Sequence, residues 1–128
     1  METKAGVETP EHDGLFVPGG SISILYSFLL ARDVVDSSIR KDGMDRTRKL
    51  VAFCSENAHY SYKKSAIITG LGEENLVAVK CLPNGAMEPG ALRAAIASAI
   101  SAGKTPFYVG TTAGTTVLVA FVQFIEIF

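Results

Sequence analysis

The sequence has little of what several large function classes require. Its formal net charge is -1, with no basic stripe, so it lacks the electrostatic footprint of a nucleic-acid-binding domain. Only two cysteines occur, Cys54 and Cys81, in neither a CxxC nor a Cys/His spacing, and no metal site is expected. Cys54 ends an apolar run and reads as a small core residue. So sparse a use of cysteine suits a reducing, cytoplasmic setting. Neither GxxxxGK[ST] nor GxGxxG is present, which removes the common nucleotide-binding signatures. The first thirteen residues carry four acidic side chains and no apolar stretch of the kind a secretory leader needs. The long apolar run Val117–Phe128 is twelve residues, broken by Gln123 and Glu126, against the ~20 of a membrane-spanning helix.

What is present suits a packed α/β unit. Apolar residues make up 48% and charged residues 20%, too apolar for a disordered chain, and 128 residues make one domain or part of a larger one. Residues 1–12 read as a flexible lead. Ile22, Leu25, Tyr26, Leu29 and Leu30 recur at helical spacing, which predicts a helix from Ser21 to about Arg32 with a wide buried face. Gly19-Gly20-Ser21 at its start would expose backbone N–H groups at the positive end of the dipole. That arrangement is either an anion seat or a plain cap. The mixed charges of Asp33–Lys49, interrupted by Gly43, read as a solvated connection.

From Leu50 the chain alternates. Strands are predicted at Leu50–Cys54, Leu76–Lys80 and Pro106–Val109. Helices are predicted from Tyr60 to about Thr69, ended by Gly70, and from Pro89 to Ala102, with Pro at its start and Gly103 beyond its end. This rhythm argues for a parallel sheet with right-handed crossovers. Parallel strands would open the loops after the first and third strands on one edge. One loop holds Ser55-Glu56-Asn57-Ala58-His59-Tyr60, and the other holds Gly110-Thr111-Thr112-Ala113-Gly114-Thr115-Thr116. Polar loops at the carboxyl ends of such strands are where open α/β sheets bind ligands. Taken alone, His59 also suits a structural role, and the threonine run suits ordinary turn chemistry.

Together and in this order, several segments resemble the group II pyridoxal-phosphate decarboxylases, in the glutamate and cysteine-sulfinate decarboxylase branch. They are Asp13-Gly14-Leu15-Phe16, Pro18-Gly19-Gly20-Ser21-Ile22-Ser23, Leu30-Ala31-Arg32, Ser55-Glu56 with His59-Tyr60-Ser61-Tyr62-Lys63-Lys64, Pro106-Phe107-Tyr108-Val109, and Thr112-Ala113-Gly114-Thr115-Thr116-Val117. The likeness runs over about residues 13–121, leaving 122–128 as a divergent apolar tail, and covers about a quarter of the family's catalytic polypeptide. It implies part of the large domain of a fold-type I pyridoxal-phosphate enzyme, mainly a parallel sheet with flanking helices. By the same resemblance Gly20 and Ser21 contact the cofactor phosphate, His59 stacks on the pyridine ring as the catalytic histidine, and Thr116 lies near the ring's other polar contacts. The implied reaction is decarboxylation of an acidic amino acid (glutamate, cysteine sulfinate or aspartate) by a homodimer.

The chain departs from the family pattern at several places. Ile24 stands where Asn is usual, Gly110-Thr111 where Asn-Ala or Ser-Ala is usual, and Val122 where an Asp is usual. Two further motifs do not occur in these 128 residues: the His-Val-Asp-Ala-Ala-type strand, whose Asp keeps the pyridine nitrogen protonated, and the Asn-Pro-His-Lys motif, whose Lys holds the cofactor covalently. Lys63 and Lys64 match helix positions and not that lysine. The resemblance therefore implies a truncated form that is inactive alone, or else a non-catalytic cofactor-phosphate binder or dominant-negative dimer partner. Val117–Phe128 also has the profile of an aggregation-prone strand, rich in β-branched and aromatic residues.

Overall fold

The structure, a computed structural model, describes residues 14–45 and 48–112. Its elements are α1 (Gly20–Val35), α2 (Ile39–Asp42), β1 (Leu50–Ser55), α3 (Ser61–Ile68), β2 (Leu76–Val79), α4 (Pro89–Ser101) and β3 (Thr105–Gly110), with a short 3-10 turn at Glu73–Asn75 before β2. The three strands form one parallel sheet in the order β2-β1-β3. The predicted strand–helix rhythm and the α/β class are therefore observed. The chain runs from β1 to β2 on one side and returns past β1 to β3 on the other. The carboxyl ends of β1 and β3 thus flank a point where the strand order reverses, the place such sheets reserve for ligands.

β1 is buried along its whole length because helices cover both faces of the sheet, which is why it reads as an unbroken apolar run. Leu50, Ala52 and Cys54 face one core with Phe28 of α1 and with Tyr62 and Ala66 of α3. Val51 and Phe53 face the other, with Met87, Leu92 and Ala99. In the first core Phe28 has no exposed surface. Its ring lies 4.3 Å from that of Tyr108 and meets Phe107 edge-on at 6.0 Å. Burial of such a ring contributes about 1.5–3 kcal/mol, and the aromatic contacts add to it.

Phe107 and Tyr108 are neighbours in sequence, yet both pack on the α1/α3 side, where a regular strand would send them to opposite faces. The β1–β3 register explains this. Val51 pairs with Pro106 and Ala52 with Tyr108, so Phe107 is an extra residue in β3. Pro106 has no N–H to give to the ladder, and prolines in sheets sit at such irregularities.

One expectation needs correction. The helical stripe of α1 is only partly inward: Tyr26 and Leu30 are exposed at 41% and 62%, while Ile24, Ser27 and Phe28 face the sheet and the site. α1 is apolar almost all round, and periodicity cannot choose the buried side of such a helix. The contacts of Phe28 and Ser27 choose it instead. The segment read as a solvated connection is mostly exposed, as expected, and has local order besides. It contains α2 with Ile39 buried. Arg48 is paired with Asp36, and Arg40 Nε reaches Asp33 Oδ2 at 2.7 Å. These partners hold the Asp33 and Asp36 carboxyls below their usual range. The hydrogen bond from Arg40 acts first on Asp33, and that from Ser38 on Asp36.

Candidate functional site

Gly19 precedes α1 at φ 101°, ψ 162°, backbone space that is essentially glycine's alone. No side chain caps the helix, so the N–H groups of its first turn have no acceptor within it. Gly20 and Ser21 are exposed at this tip. Ser21 Oγ lies 2.7 Å from Ser61 Oγ, and Ser61 Oγ lies 2.6 Å from His59 Nδ1. The backbone N–H of Ser61 also donates to Nδ1 at 3.2 Å. His59 is thereby tied to the helix tip through one buried hydroxyl.

The loop that carries His59 is held at both ends. Ser55 anchors its start, accepting from the Asn57 N–H through Oγ at 3.1 Å and from the Ala58 N–H through its carbonyl at 2.9 Å. Glu56 bonds across to β2 and its continuation: its N–H donates to the Val79 carbonyl, and its carboxylate accepts from the Cys81 N–H at 2.7 Å. The Tyr62 N–H donates to the His59 carbonyl at 3.1 Å as α3 begins.

The facing wall comes from β3. Ser27 Oγ–H donates to the Ile24 carbonyl at 2.8 Å, so its only proton is committed. The 2.9 Å contact with Tyr108 Oη then has the phenol as donor. Burial pushes the Tyr108 hydroxyl up to about 12 and raises that of Tyr62 as well, so both are neutral donors across the physiological range. Burial also pushes the Cys54 thiol up to about 11, so it stays protonated and unreactive.

A β-carbon on Gly110 would lie 2.2 Å from Tyr62 Cε1 and 2.9 Å from its Cζ. The phenol ring of Tyr62 occupies the space that a side chain at 110 would need, which gives a physical reason for glycine at this position.

These walls enclose a cavity of about 600 Å³, lined among others by Gly20, Ser21, Ser27, His59, Tyr62, Tyr108, Thr111 and Thr112. The predicted convergence of the two loops with the helix start is thus present for Gly20, Ser21 and His59. Thr116 lies outside the described residues, as do the lead 1–12 and the tail 122–128. Ser61, Tyr62, Ser27 and Tyr108 are additions that the sequence reading did not single out. A signal for part of this wall was there: Gly20, Ser23 and Ser27 recur at three- and four-residue spacing, a small and polar stripe within an apolar helix.

Among the described lining residues there is no carboxylate and no lysine or arginine. The wall instead offers N–H groups, hydroxyls and one imidazole. That donor set suits a small phosphate ester attached to a flat polar ring. A second cavity, of about 580 Å³, lies at the amino ends of the strands near Lys49, Asn75 and Lys104, away from the edge where such sheets bind ligands. No group of His, Cys, Asp and Glu among the described residues could hold a metal ion. No helix among them is long and apolar enough to cross a membrane.

A family model described as the pyridoxal-dependent decarboxylase conserved domain matches residues 2–127. The chain belongs to this family. Pyridoxal phosphate is the family's cofactor, and the donor set of the cavity fits it. Among solved structures, mouse CSAD is 40% identical with a TM-score of 0.87, over 90% of this chain and 24% of that one. The glutamate decarboxylase domain of the diaminobutyrate-pyruvate transaminase and L-2,4-diaminobutyrate decarboxylase from Vibrio parahaemolyticus is 35% identical with a TM-score of 0.84, over 90% of this chain and 26% of that one. Oryza sativa TDC with PLP and tryptamine, at 23% identity and a TM-score of 0.74, covers 84% of this chain and 22% of that one; it shares the fold. The chain spans about a quarter of the length of the structures it matches.

Proposed function

We propose that the chain is the phosphate-seating part of a decarboxylase that acts on a small acidic amino acid of the glutamate and cysteine-sulfinate type. The observation that carries the proposal is the meeting of Gly20, Ser21 and His59 around one cavity, joined through Ser61. In this reading the N–H groups of Gly20 and Ser21 and the Ser21 hydroxyl hold the cofactor phosphate at the positive end of α1. His59 covers the ring face as the catalytic histidine, and Thr116 supplies a polar contact to the ring. Tyr62 and Tyr108 shape the floor and keep their protons. Pyridoxal phosphate, when bound, supplies the electron sink for loss of a carboxylate. The likeness to mouse CSAD and to a glutamate decarboxylase domain supports the acidic branch.

The 128 residues hold neither the lysine motif nor the pyridine-nitrogen aspartate motif, so a polypeptide of these residues alone should bind the cofactor without turnover. The test is a titration with pyridoxal phosphate and with unphosphorylated pyridoxal, followed by absorbance. The phosphate ester should bind more tightly, and Ser21→Ala and His59→Ala should each weaken it. Binding unchanged by both substitutions would refute the site. Release of CO2 from glutamate at enzymatic rates would refute the inactivity.

A second reading, a non-catalytic partner of a complete subunit in a dimer, is favoured by the exposed face of α1. There Tyr26, Leu30 and Val34 are exposed four residues apart, forming an apolar strip of the kind that marks an interface. Co-purification with a complete subunit tests it. The two cysteines are both free, which supports a reducing, cytoplasmic setting.

A further inference from the structure

The hydrogen bonds around Ser61 have only one consistent direction. A backbone N–H can only donate, so the 3.2 Å bond from the Ser61 N–H to His59 Nδ1 requires a lone pair on Nδ1. The second contact at Nδ1, from Ser61 Oγ at 2.6 Å, must then also be a donation. Ser61 has one hydroxyl proton, which is now spent. The 2.7 Å contact between Ser61 Oγ and Ser21 Oγ therefore has Ser21 as donor. The order is Ser21 to Ser61 to His59 Nδ1, which leaves the imidazole proton on Nε2. Ser61 is 1% exposed, so water does not compete for these bonds.

We infer that Ser61 is a positioning residue that locks neutral His59 as its Nε2–H tautomer and links that tautomer to the phosphate seat at Ser21. Its importance for catalysis rests on the proposed reading of His59 as the residue over the cofactor ring. The lock itself needs no cofactor. An anion at the tip of α1 competes for the Ser21 proton, because Ser21 Oγ–H is the only hydroxyl donor that Ser61 receives in this chain of bonds. When Ser21 turns to the anion, Ser61 loses that donation while keeping its own to Nδ1. Occupation of the phosphate seat is thus felt at the imidazole through a single intervening hydroxyl.

The experiment is long-range 1H–15N NMR of the full chain labelled at histidine, at about pH 8 so that an ordinary imidazole is neutral. His12 and His59 are distinguished by a His12→Gln variant. Wild type should show His59 Nδ1 at an unprotonated shift and Nε2 at a protonated one. Ser61→Ala should mix the tautomers, Ser61→Thr should restore the lock, and Ser21→Ala should leave it in place. Added pyridoxal phosphate should move the His59 Nδ1 signal in wild type and by less than half as much in Ser61→Ala. A protonated Nδ1 in wild type, or a tautomer indifferent to Ser61→Ala, overturns the lock whether or not the cofactor binds. A correct tautomer with no response to pyridoxal phosphate overturns the link. If pyridoxal phosphate also fails to bind in the absorbance titration, the cofactor reading fails while the lock stands.

Discussion

Replacement of Gly110 by alanine offers a sharp test of how the cavity floor is built. The added carbon would lie 2.2 Å from Tyr62 Cε1 and 3.1 Å from Tyr108 Cε1, where carbon atoms prefer roughly 3.5–4.0 Å. Relief requires the Tyr62 ring to retreat by more than about 1 Å on that measure. The ring is only 6% exposed and packs among Phe28, Tyr108 and β1. Overpacking of this kind costs about 1–3 kcal/mol, and the rigid neighbours place Gly110→Ala toward the upper end. At about 3 kcal/mol the urea midpoint should fall by roughly 1.5 M. Equilibrium unfolding followed by far-ultraviolet circular dichroism measures this directly.

The same clash predicts coupling. Tyr62→Leu removes the atoms that Gly110→Ala strikes, so the alanine should cost less in the Tyr62→Leu background by at least about 1 kcal/mol, within the range for residues in contact. A Gly110→Ala protein within 0.5 kcal/mol of wild type (about the noise level of a surface change), or an equal loss in both backgrounds, would show that Tyr62 does not fill this space.

Further outcomes follow from other contacts. Phe28→Ala should cost about 3–5 kcal/mol, enough to leave the isolated chain largely unfolded by circular dichroism at room temperature. Gly19→Ala should carry about 1–3 kcal/mol of backbone strain and weaken pyridoxal-phosphate binding beyond its effect on stability, which titration at a temperature where the variant stays folded would reveal. The Tyr108 hydroxyl is raised from 10.0 to about 12 in the folded chain, so its contribution to stability is complete below about pH 10 and lost as pH rises toward 12. Tyr108→Phe should flatten that alkaline part of a stability–pH curve, and an unchanged curve would count against its burial. Deleting residues 117–128 should raise the soluble fraction on expression, because that stretch is apolar and nearly uncharged; equal solubility would contradict it.

Much of the fold was legible because β1, α4 and the turns between them carry local signals. Leu50–Cys54 is an uninterrupted apolar run, Pro89 and Gly103 bracket α4, and both cues act within a few residues. The convergence of Gly20, Ser21 and His59 was legible for a different reason: parallel strands force loops after alternate elements onto one edge. What stayed hidden depends on tertiary partners. The inward face of α1 is selected by Phe28 and Ser27 meeting residues some eighty positions away, and a helix apolar on most sides carries no record of that choice. Ser61 and Tyr62 looked like ordinary members of a helix start. Their roles emerge only when Ser21 is brought within 2.7 Å of Ser61 and Gly110 is brought beneath the Tyr62 ring. The departure at Gly110 thus acquires a steric cause that no inspection of its neighbours in sequence could supply.

The irregular register of β3 places one residue, Phe107, outside the pairing with β1. With Phe107 left over opposite Val51 and Ala52, the parity of every later side chain is reset, and Tyr108 lies opposite Ala52 on the α1 side. Removal of Phe107 would leave Pro106 opposite Val51 and Tyr108 opposite Ala52 in a regular ladder, with the phenol still on the α1 side, and would take from Phe28 its edge-on ring partner. The ladder itself therefore accepts the loss of that one residue, and the cost falls on the packing around Phe28.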